Sequence, residues 1–294
     1  MQATFAITKA LTQIWHQRSL AIPKHPSGTT TMTLKLKLFL ATLISCTMFG
    51  AQAQAASCGN TAGGFGAWKN EFAAQAKAGG IGARGLSALA GTTYSTGTIY
   101  ADRHQKSFKL SLPAFMAKRG SAGIVARAKS LKKANAALFA SLEARYGVPP
   151  GPILAIWGME TGFGAVTGNQ PTVSAAATLA YDCRRTAFFT EQLMAALKLV
   201  DSGAMSPATR GAMHGEVGQT QFMPKNIMLY GVGGRNLNNK NDALASTANF
   251  LKGHGWRAGG GYQPGEANFD AIQGWNAATV YQQAIAIMGK QIDG

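Results

Sequence analysis

The segment that begins at Pro150 constrains the fold more than any other part of the chain, because it is almost free of charge and carries a single acid. Two consecutive prolines before an apolar run are typical of the first turn of a helix. In a helix, Ile153, Ile156, Trp157 and Glu160 share one face, since the last three follow the first by three, four and seven residues. The spacing predicts a core helix with Glu160 on its apolar face, in the last turn.

The position of Glu160 has a chemical consequence. A carboxyl group on a face that packs into the core loses water, and this raises its pKa. A raised pKa lets the group carry a proton at neutral pH, as a general acid must. Gly162 and Gly164 follow and allow the backbone and a ligand to approach closely. The ordinary alternative is a glutamate that caps the helix or forms an ion pair at its end.

The overall composition is that of a folded, basic protein. Hydrophobic residues make up 46% of the 294 positions and charged residues only 14%, which is enough for a real core. The net charge of +16 favours polyanionic partners, namely nucleic acid, anionic membrane surfaces or an acidic cell-wall polymer. The densest basic group, formed by Lys129, Lys132 and Lys133, is best interpreted as a solvated helix face.

The N-terminal region has the pattern of a secretory signal peptide. Lys35 and Lys37 precede an apolar run over 38–44, and small residues follow over 51–57. The run is too short for a stable membrane span. We therefore interpret residues 1–55 as an N-terminal extension plus signal peptide, with Met32 as a possible start, and expect a single catalytic domain over 56–294 in the periplasm.

Export determines how the cysteines are interpreted. Cys46 lies within the signal peptide, so Cys58 and Cys183 are left as an even pair in an oxidising compartment. We expect them to form a disulfide, and two unpaired thiols are the alternative. Residues 43–46 also resemble a lipoprotein cleavage box, which leaves lipidation of Cys46 as a second possibility for the N-terminus.

Hydrophobic periodicity predicts a mainly helical domain with glycine-rich connections and few strands. Residues 92–100 are expected to form a loop or short extended segments. Two helices are expected within 114–146, with a break near Gly120 and Gly123 and an end at Gly147. The other expected helices cover 65–78, 150–160, 172–179, 188–200, 242–251 and 279–287.

A second polar segment, over residues 210–224, combines glycines with amide side chains. Gln219 and Gln221 can each donate and accept hydrogen bonds, which suits neutral, oxygen-rich ligands such as sugars. An ordinary polar turn before a helix is the alternative.

Six motifs in a fixed order resemble the B-type lytic murein transglycosylases. They run from about Asp102 to the C-terminus, and the segment that starts at Cys58 resembles one branch of the family. The motifs are Y-G-V-P-P with I-x-G-x-E-T-x-x-G, A-T-L-A-Y-D-C-R-R, G-x-x-G-Q-T-Q-F-M-P, A-N-F-L-K-x-H-G-W and N-F-x-x-I-x-x-W-N-x-x-x-x-Y. The resemblance implies a lysozyme-like α+β fold with helical lobes around a glycan-binding groove.

The resemblance also implies roles for individual residues. Glu160 matches the catalytic acid/base of the family. The residues that match the sugar-binding cleft are Gln221, Arg184, Arg185, Asn276, Tyr281 and Phe250, the last of which replaces a tyrosine common in the family.

The implied reaction is non-hydrolytic cleavage of the β-1,4 bond between N-acetylmuramic acid and N-acetylglucosamine in peptidoglycan, leaving 1,6-anhydro ends. Glu160 would be the sole acid/base, no cofactor would be needed, and peptidoglycan glycan strands would be the partner of a monomeric enzyme. Only 12 acids occur in the chain, which agrees with a one-carboxylate scheme.

The sequence departs from the family at two places. Some members carry an Asp-rich calcium loop after Q-F-M-P, whereas residues 230–241 contain no acid, so we predict no metal site. The segment 257–267 is shorter than usual, and part of the groove wall is therefore expected to be missing.

Three other functions compete with this interpretation. A hydrolytic muramidase would add a second acid such as Glu216 or Asp182. A non-catalytic peptidoglycan-binding protein would keep the groove alone. A nucleic-acid binder is disfavoured by the export signal and the absence of a known binding motif. His104, His214 and His254 lack metal-ligand spacing and are interpreted as ordinary surface or cleft residues.

Overall fold

The computed structural model of the chain describes residues 56–104 and 109–294. The predicted signal peptide, Met32 and Cys46 lie outside these residues. Thirteen α-helices form the described part of the chain, so the expected mainly helical class is confirmed. The first seven are α1 (Phe65–Ala78), α2 (Ala83–Ala90), α3 (Thr96–Arg103), α4 (Leu112–Arg119), α5 (Ser121–Ala134), α6 (Ala136–Tyr146) and α7 (Pro150–Thr161). The other six are α8 (Thr172–Tyr181), α9 (Thr186–Asp201), α10 (Pro224–Tyr230), α11 (Lys240–Gly253), α12 (Phe269–Trp275) and α13 (Thr279–Asp293).

A two-stranded antiparallel sheet joins the segments that follow α7 and α9. Strand β1 (Gln170–Pro171) pairs with β2 (Arg210–Gly211), and Gln170 lies opposite Gly211. The sheet fixes the start of the polar segment 210–224 beside the N-terminus of α8. The strand content of the described residues is therefore as small as the sequence indicates.

Residues 92–100 are not the loop that the sequence predicts, because α3 begins at Thr96. The side chain of Ser95 accepts a hydrogen bond from the Thr98 backbone and caps the helix N-terminus. Thr98 and Asp102 are buried on the side that packs against α8. Tertiary packing and a cap thus override the weak helix propensity of this Thr- and Gly-rich stretch.

The region 114–146 contains three helices rather than two. Gly120 ends α4 in the left-handed conformation at φ 66°, as the sequence indicates, and Gly147 ends α6 in the same way. Gly123, however, lies within α5, because an exposed glycine with ordinary helical angles does not break a helix. The second break falls at Asn135, whose side chain accepts no backbone hydrogen and instead donates to the Leu131 carbonyl.

Helix α7 is buried on all sides rather than along one stripe. Every residue from Gly151 to Thr161 is fully buried except Glu160. It packs against α5, α11 and α13. The contact with α13 is so close that a Cβ atom at Gly151 would lie 2.3 Å from the carbonyl oxygen of Gly289. The predicted core helix is therefore buried all round, and its one partly accessible side chain is an acid.

Asp293, near the end of α13, holds the start of α7. Its Oδ1 accepts a 2.7 Å hydrogen bond from the Gly151 backbone, and its Oδ2 accepts one of 2.7 Å from the Tyr262 hydroxyl. A carboxylate at a helix N-terminus pairs with unsatisfied N–H groups and with the helix dipole. The C-terminal helix thus fixes the helix that carries Glu160.

The predicted disulfide between Cys58 and Cys183 is confirmed. It links the start of the described chain to the connection between α8 and α9, over a sequence separation of 125 residues. Within the described ranges, no helix is both long enough and apolar enough to cross a membrane.

Candidate active site

Glu160 lies at the C-terminal end of α7, where the chain leaves the core. Gly162 caps the helix in the left-handed conformation at φ 59°, which a glycine adopts without steric strain. The chain turns away directly after the acid, and this leaves the carboxyl group at the edge of the core, as its position in the sequence predicts.

Two aromatic side chains hold one oxygen of this carboxyl group. The Tyr281 hydroxyl on α13 donates to Glu160 Oε1 over 2.5 Å, and the Trp275 indole at the end of α12 donates to the same oxygen over 3.0 Å. Tyr281 is 2% exposed. The three groups come from three helices, so their arrangement depends on tertiary packing.

Burial raises the pKa of Glu160 above its ordinary value, and the negative charge of Glu216 adds to this. The hydrogen bonds from Tyr281 and Trp275 act in the opposite direction but do not outweigh burial. Burial together with the nearby Glu160 also raises the pKa of the Tyr281 hydroxyl well above its ordinary value, so Tyr281 remains a donor. The environment of Glu160 therefore shifts its pKa in the direction that a general acid requires.

Glu160 opens into a cavity of about 240 Å³. Aromatic rings form one wall: Trp275 packs edge-to-face against Phe222 and Phe250, with ring centroids 5.3 and 5.1 Å apart. Apart from Met223, polar side chains form the remainder, and such groups fix the orientation of a bound ligand. The lining residues are Glu160, Glu216, Gln221, Phe222, Met223, Asn226, Phe250, Trp275 and Asn276.

Gln221 reaches the cavity through an unusual backbone conformation. Its φ of 56° lies in the left-handed region, at a tight turn closed by bridge pairing between Val217 and Phe222. Its side-chain nitrogen donates to the carbonyls of Gly218 and Thr167 over 2.7 and 3.1 Å. Both donor positions are thereby used within the protein, and the amide oxygen is left as the acceptor for a ligand hydroxyl.

Phe250 and Asn276, two other residues predicted from the resemblance, also line the cavity. Phe250 is 2% exposed and stacks on His254 with ring centroids 3.9 Å apart. Asn276 follows Trp275 at the end of α12, and its Oδ1 accepts a hydrogen bond from the Ala278 backbone.

Gln219 is part of the scaffold behind the site and does not line the cavity. Its Oε1 accepts a 3.0 Å hydrogen bond from the Trp157 indole, and its Nε2 donates to the Asn238 carbonyl over 2.7 Å. Both ends of the amide are therefore bonded within the protein.

Arg184 and Arg185 also lie apart from the cavity lining. Both guanidinium groups bind the carboxylate of Asp102, which is 1% exposed, while the two arginines are 44% and 40% exposed. Asp182, which sequence reasoning considered as a second acid, forms a 2.7 Å ion pair with Arg103 instead. Arg184 and Arg185 thus form an exposed basic patch, and the buried carboxylate of Asp102 binds both guanidinium groups.

The cavity contains a second acid, Glu216, which the sequence suggested only as part of the muramidase alternative. Its Oε1 lies 3.2 Å from His214 Nδ1, and its Oε2 accepts a 3.0 Å hydrogen bond from the His214 backbone. Burial by itself would raise the pKa of Glu216, but its contacts with His214 outweigh burial and hold it below the ordinary value. His214, Trp275 and Asn226 were not singled out for the site from the sequence. Trp275 directly precedes Asn276 in the last motif, which was the one available signal.

Residues 230–241 do not fit a calcium ion. Hard cations need several oxygen ligands, most of them carboxylates. The adjacent carboxylate of Asp242 accepts a 3.2 Å hydrogen bond from the Asn236 backbone and so closes the loop. In residues 56–104 and 109–294, no three His, Cys, Asp or Glu side chains are grouped as metal ligands would be.

Comparison with known proteins supports the same family. Residues 64–265 match the transglycosylase SLT domain family. A curated relative, membrane-bound lytic murein transglycosylase B of Escherichia coli, is 37% identical over 121 residues, which are 39% of this chain and 34% of the relative. The chain therefore matches about a third of the length of that relative.

Solved structures share the fold over most of the chain. SltB3 from Pseudomonas aeruginosa, crystallised in complex with NAG-anhNAM-pentapeptide, superposes with a TM-score of 0.72 at 28% identity, covering 78% of this chain and 80% of SltB3. Soluble lytic transglycosylase SltB1 from the same organism superposes with a TM-score of 0.66 at 22% identity, covering 76% of this chain and 97% of SltB1. The lysozyme-like fold that the motifs imply is thus confirmed. Because the family match extends over residues 64–265, the chain belongs to the transglycosylase SLT domain family.

Proposed function

We propose that the protein is a peptidoglycan lytic transglycosylase. It cleaves the β-1,4 bond between N-acetylmuramic acid and N-acetylglucosamine without water and leaves 1,6-anhydro-N-acetylmuramic acid ends. The observation that carries the proposal is the carboxyl group of Glu160. It has a raised pKa, is held by Tyr281 and Trp275, and faces a cavity lined by amides and aromatic rings.

Glu160 acts first as an acid and then as a base. Its proton passes to the bridging oxygen, and the bond from that oxygen to C1 breaks with its electron pair going to the oxygen. N-acetylglucosamine leaves as an alcohol. The O6 hydroxyl of the same muramic sugar then attacks C1, and its proton passes to the Glu160 carboxylate. The acid is regenerated and no water is consumed, so one carboxyl group performs both proton transfers.

The polar lining residues orient the sugar. The acceptor oxygen of Gln221 and the side chain of Asn276 are placed to bind hydroxyl or acetamido groups. The net charge of +16 suits a substrate whose peptide stems and lactyl groups carry carboxylates. SltB3, at 28% identity, has been crystallised with NAG-NAM-pentapeptide as well, which supports the same substrate class.

A hydrolytic muramidase is the second candidate, and one observation favours it. Glu216 lies in the same cavity as Glu160, and ordinary glycosidases use two carboxyl groups. A wall-binding protein without activity is the third candidate, but nothing in the cavity favours it over catalysis.

The deciding experiment is mass spectrometry of the soluble products released from purified peptidoglycan by the mature protein and by Glu160→Gln. We expect anhydromuropeptides from the wild type and none from the variant. Glu143→Gln is the matched control, because Glu143 is exposed on α6 and does not line the cavity. It should release the same products as the wild type.

Other products would overturn the proposal. Reducing N-acetylmuramic acid ends would identify a hydrolase. Retained wall binding without products from either protein would identify a binding module.

The proposed location is the periplasm, with residues 56–294 as one catalytic domain. The disulfide between Cys58 and Cys183 supports an oxidising compartment. Fractionation of cells that express the full chain tests this location.

A further inference from the structure

Two carboxyl groups share the cavity, and their surroundings differ in kind. Glu160 is surrounded by the apolar end of α7 and accepts hydrogen bonds from two uncharged donors, Tyr281 and Trp275. Glu216 Oε1 lies 3.2 Å from the imidazole Nδ1 of His214, and Glu216 Oε2 accepts a hydrogen bond from the His214 backbone. Environments that push two carboxyl groups toward opposite protonation states are the usual sign of a division of roles in catalysis.

The support for Glu216 extends beyond His214. The other ring nitrogen of His214 lies 3.7 Å from Asp102 Oδ1, and Asp102 in turn binds Arg184 and Arg185. A carboxylate behind an imidazole fixes the orientation of the ring. The contacts run from Arg184 and Arg185 through Asp102 and His214 to an oxygen of Glu216 in the cavity. All of them are contacts between protein groups.

The titratable and charged side chains around Glu216 in the described residues come from neighbouring elements of the fold. Glu160 lies across the cavity on α7, and His214 is on the same segment as Glu216. Asp102 from α3 stands behind His214. Arg119 from α4 acts on Glu160 and lies over the Tyr281 ring, at 5.9 Å from its centroid. The basic side chain that contacts Glu216 among these groups is His214.

We propose that Glu216 is a second catalytic carboxylate, which contacts the muramic sugar in the cavity and stabilises the positive charge that forms at C1 when Glu160 protonates the leaving oxygen. This rests on the proposed function. His214 is a positioning residue that holds Glu216 in its ionised form.

The role of Glu216 is electrostatic and leaves the balance of the reaction unchanged. Glu160 gives up a proton, the leaving oxygen takes that proton with the bonding electron pair, and C1 becomes cationic. Glu216 forms no bond and accepts no proton, and the O6 hydroxyl then returns a proton to Glu160. A fixed negative charge close to the developing cation, in a site with little water, lowers the energy of the transition state more than that of the bound substrate.

The same charge has a second effect on Glu160. Glu216 contributes to the raised pKa of Glu160, so it helps to keep the acid protonated before the bond breaks. Activity then requires Glu160 protonated and Glu216 ionised. The dependence of kcat on pH should be bell-shaped, with its acidic limb set by Glu216 and its basic limb set by Glu160.

The test compares kcat, KM and their pH dependence on soluble, uncrosslinked glycan strands for the wild type and Glu216→Gln. We expect kcat to fall roughly 100-fold with little change in KM, which is the size of effect seen for loss of one preorganised electrostatic group. The acidic limb should disappear. The basic limb should move to lower pH, because the charge that raises the pKa of Glu160 is gone.

Two further variants separate this role from a structural one. Glu216→Asp keeps the charge and should restore the acidic limb. His214→Asn leaves the carboxylate but removes the imidazole, so the pKa of Glu216 should rise and the acidic limb should move to higher pH. His214→Asn also decides the question by itself should Glu216→Gln fail to fold. Glu143→Gln again serves as the matched control and should keep the wild-type profile.

The outcomes distinguish this proposal from the proposed function. An inactive Glu160→Gln with anhydro products from the wild type, together with a wild-type kcat and an intact acidic limb in Glu216→Gln, would overturn the role of Glu216 alone. Reducing ends that vanish in Glu216→Gln would make Glu216 the base for a water molecule, and both proposals would then be wrong.

Discussion

The Tyr281 hydroxyl donates a 2.5 Å hydrogen bond to Glu160 Oε1. The Trp275 indole donates to the same oxygen, so both hydrogen bonds to this carboxyl group from described side chains end on Oε1. An oxygen that accepts two hydrogen bonds has little capacity left for a proton of its own. In the proposed mechanism the acidic proton therefore belongs on Oε2, because α12 and α13 together supply the donors that occupy Oε1 of Glu160.

Replacing Tyr281 by Phe should slow the reaction and change its pH dependence. The hydroxyl stabilises the ionised form of Glu160, so its loss raises the pKa of Glu160 further and moves the basic limb of the kcat profile to higher pH. A hydrogen bond to a charged group contributes about 1.5–3 kcal/mol, so kcat should fall roughly 10- to 100-fold. Kinetics on soluble glycan strands between acid and alkaline pH measure both effects. A basic limb at lower pH would contradict this assignment.

Glu160→Gln should make the protein more stable at neutral and alkaline pH. The pKa of Glu160 is raised above 4.5 in the folded state, so the folded protein binds the proton more tightly than the unfolded chain. Its contribution to stability is present at low pH and is lost as the pH rises through the folded pKa. The variant has no such loss, so its Tm should exceed that of the wild type by an amount that increases as the pH rises above 4.5. Calorimetry across this pH range, with Glu143→Gln as the control, measures the Tm difference between variant and wild type. A difference that does not change with pH, or that decreases as the pH rises, would contradict the prediction.

Removing the disulfide should destabilise the domain without abolishing catalysis. Cys58 and Cys183 are joined over 125 residues, and the link lies outside the cavity lining. Restricting an unfolded chain of this length contributes about 2–5 kcal/mol, so Tm should fall roughly 5 to 15 °C in a double Cys→Ser variant. Thermal unfolding with and without reductant tests this, since reductant should lower the Tm of the wild type and leave the variant unchanged. Equal Tm values in all four samples would rule out a stabilising link.

The two glutamines of the polar segment should differ in their effect on KM. Gln219→Ala removes the partners of the Trp157 indole and the Asn238 carbonyl, so the free energy of unfolding should fall by about 1–3 kcal/mol while KM is unchanged. Gln221→Asn shortens the amide that faces the cavity, and asparagine tolerates a φ of 56° better than most residues. Its expected effect is a higher KM, together with a loss of stability of about 1–3 kcal/mol, because the shorter side chain also gives up the hydrogen bonds to the Gly218 and Thr167 carbonyls. Tm and KM measured on both variants test this prediction. A raised KM in Gln219→Ala, or an unchanged KM in Gln221→Asn, would contradict it.

Much of the site could be predicted because its residues belong to local patterns. The double proline, the apolar run and the glycines after Glu160 specify the start, the burial and the end of α7 within one segment. Gln221, Phe250 and Asn276 were placed at the site by their motifs, and all three line the cavity. Local sequence patterns predicted less well the elements that depend on contacts with distant residues. Helix α3, for example, was expected to be a loop, but its cap and its burial against α8 stabilise it as a helix.

The amino-acid sequence was enough to predict the mainly helical class, the positions of most helices, the pairing of Cys58 with Cys183, and an acid at the end of a core helix. These features depend on short-range periodicity, on turn chemistry and on an even cysteine count. The folded structure was needed to show that Gln219 supports Trp157, that Asp102 holds Arg184 and Arg185, and that Glu216 shares the cavity with Glu160. Hydrogen bonds and ion pairs between residues distant in sequence depend on how helices pack, and the spacing of residues along the chain does not encode this packing.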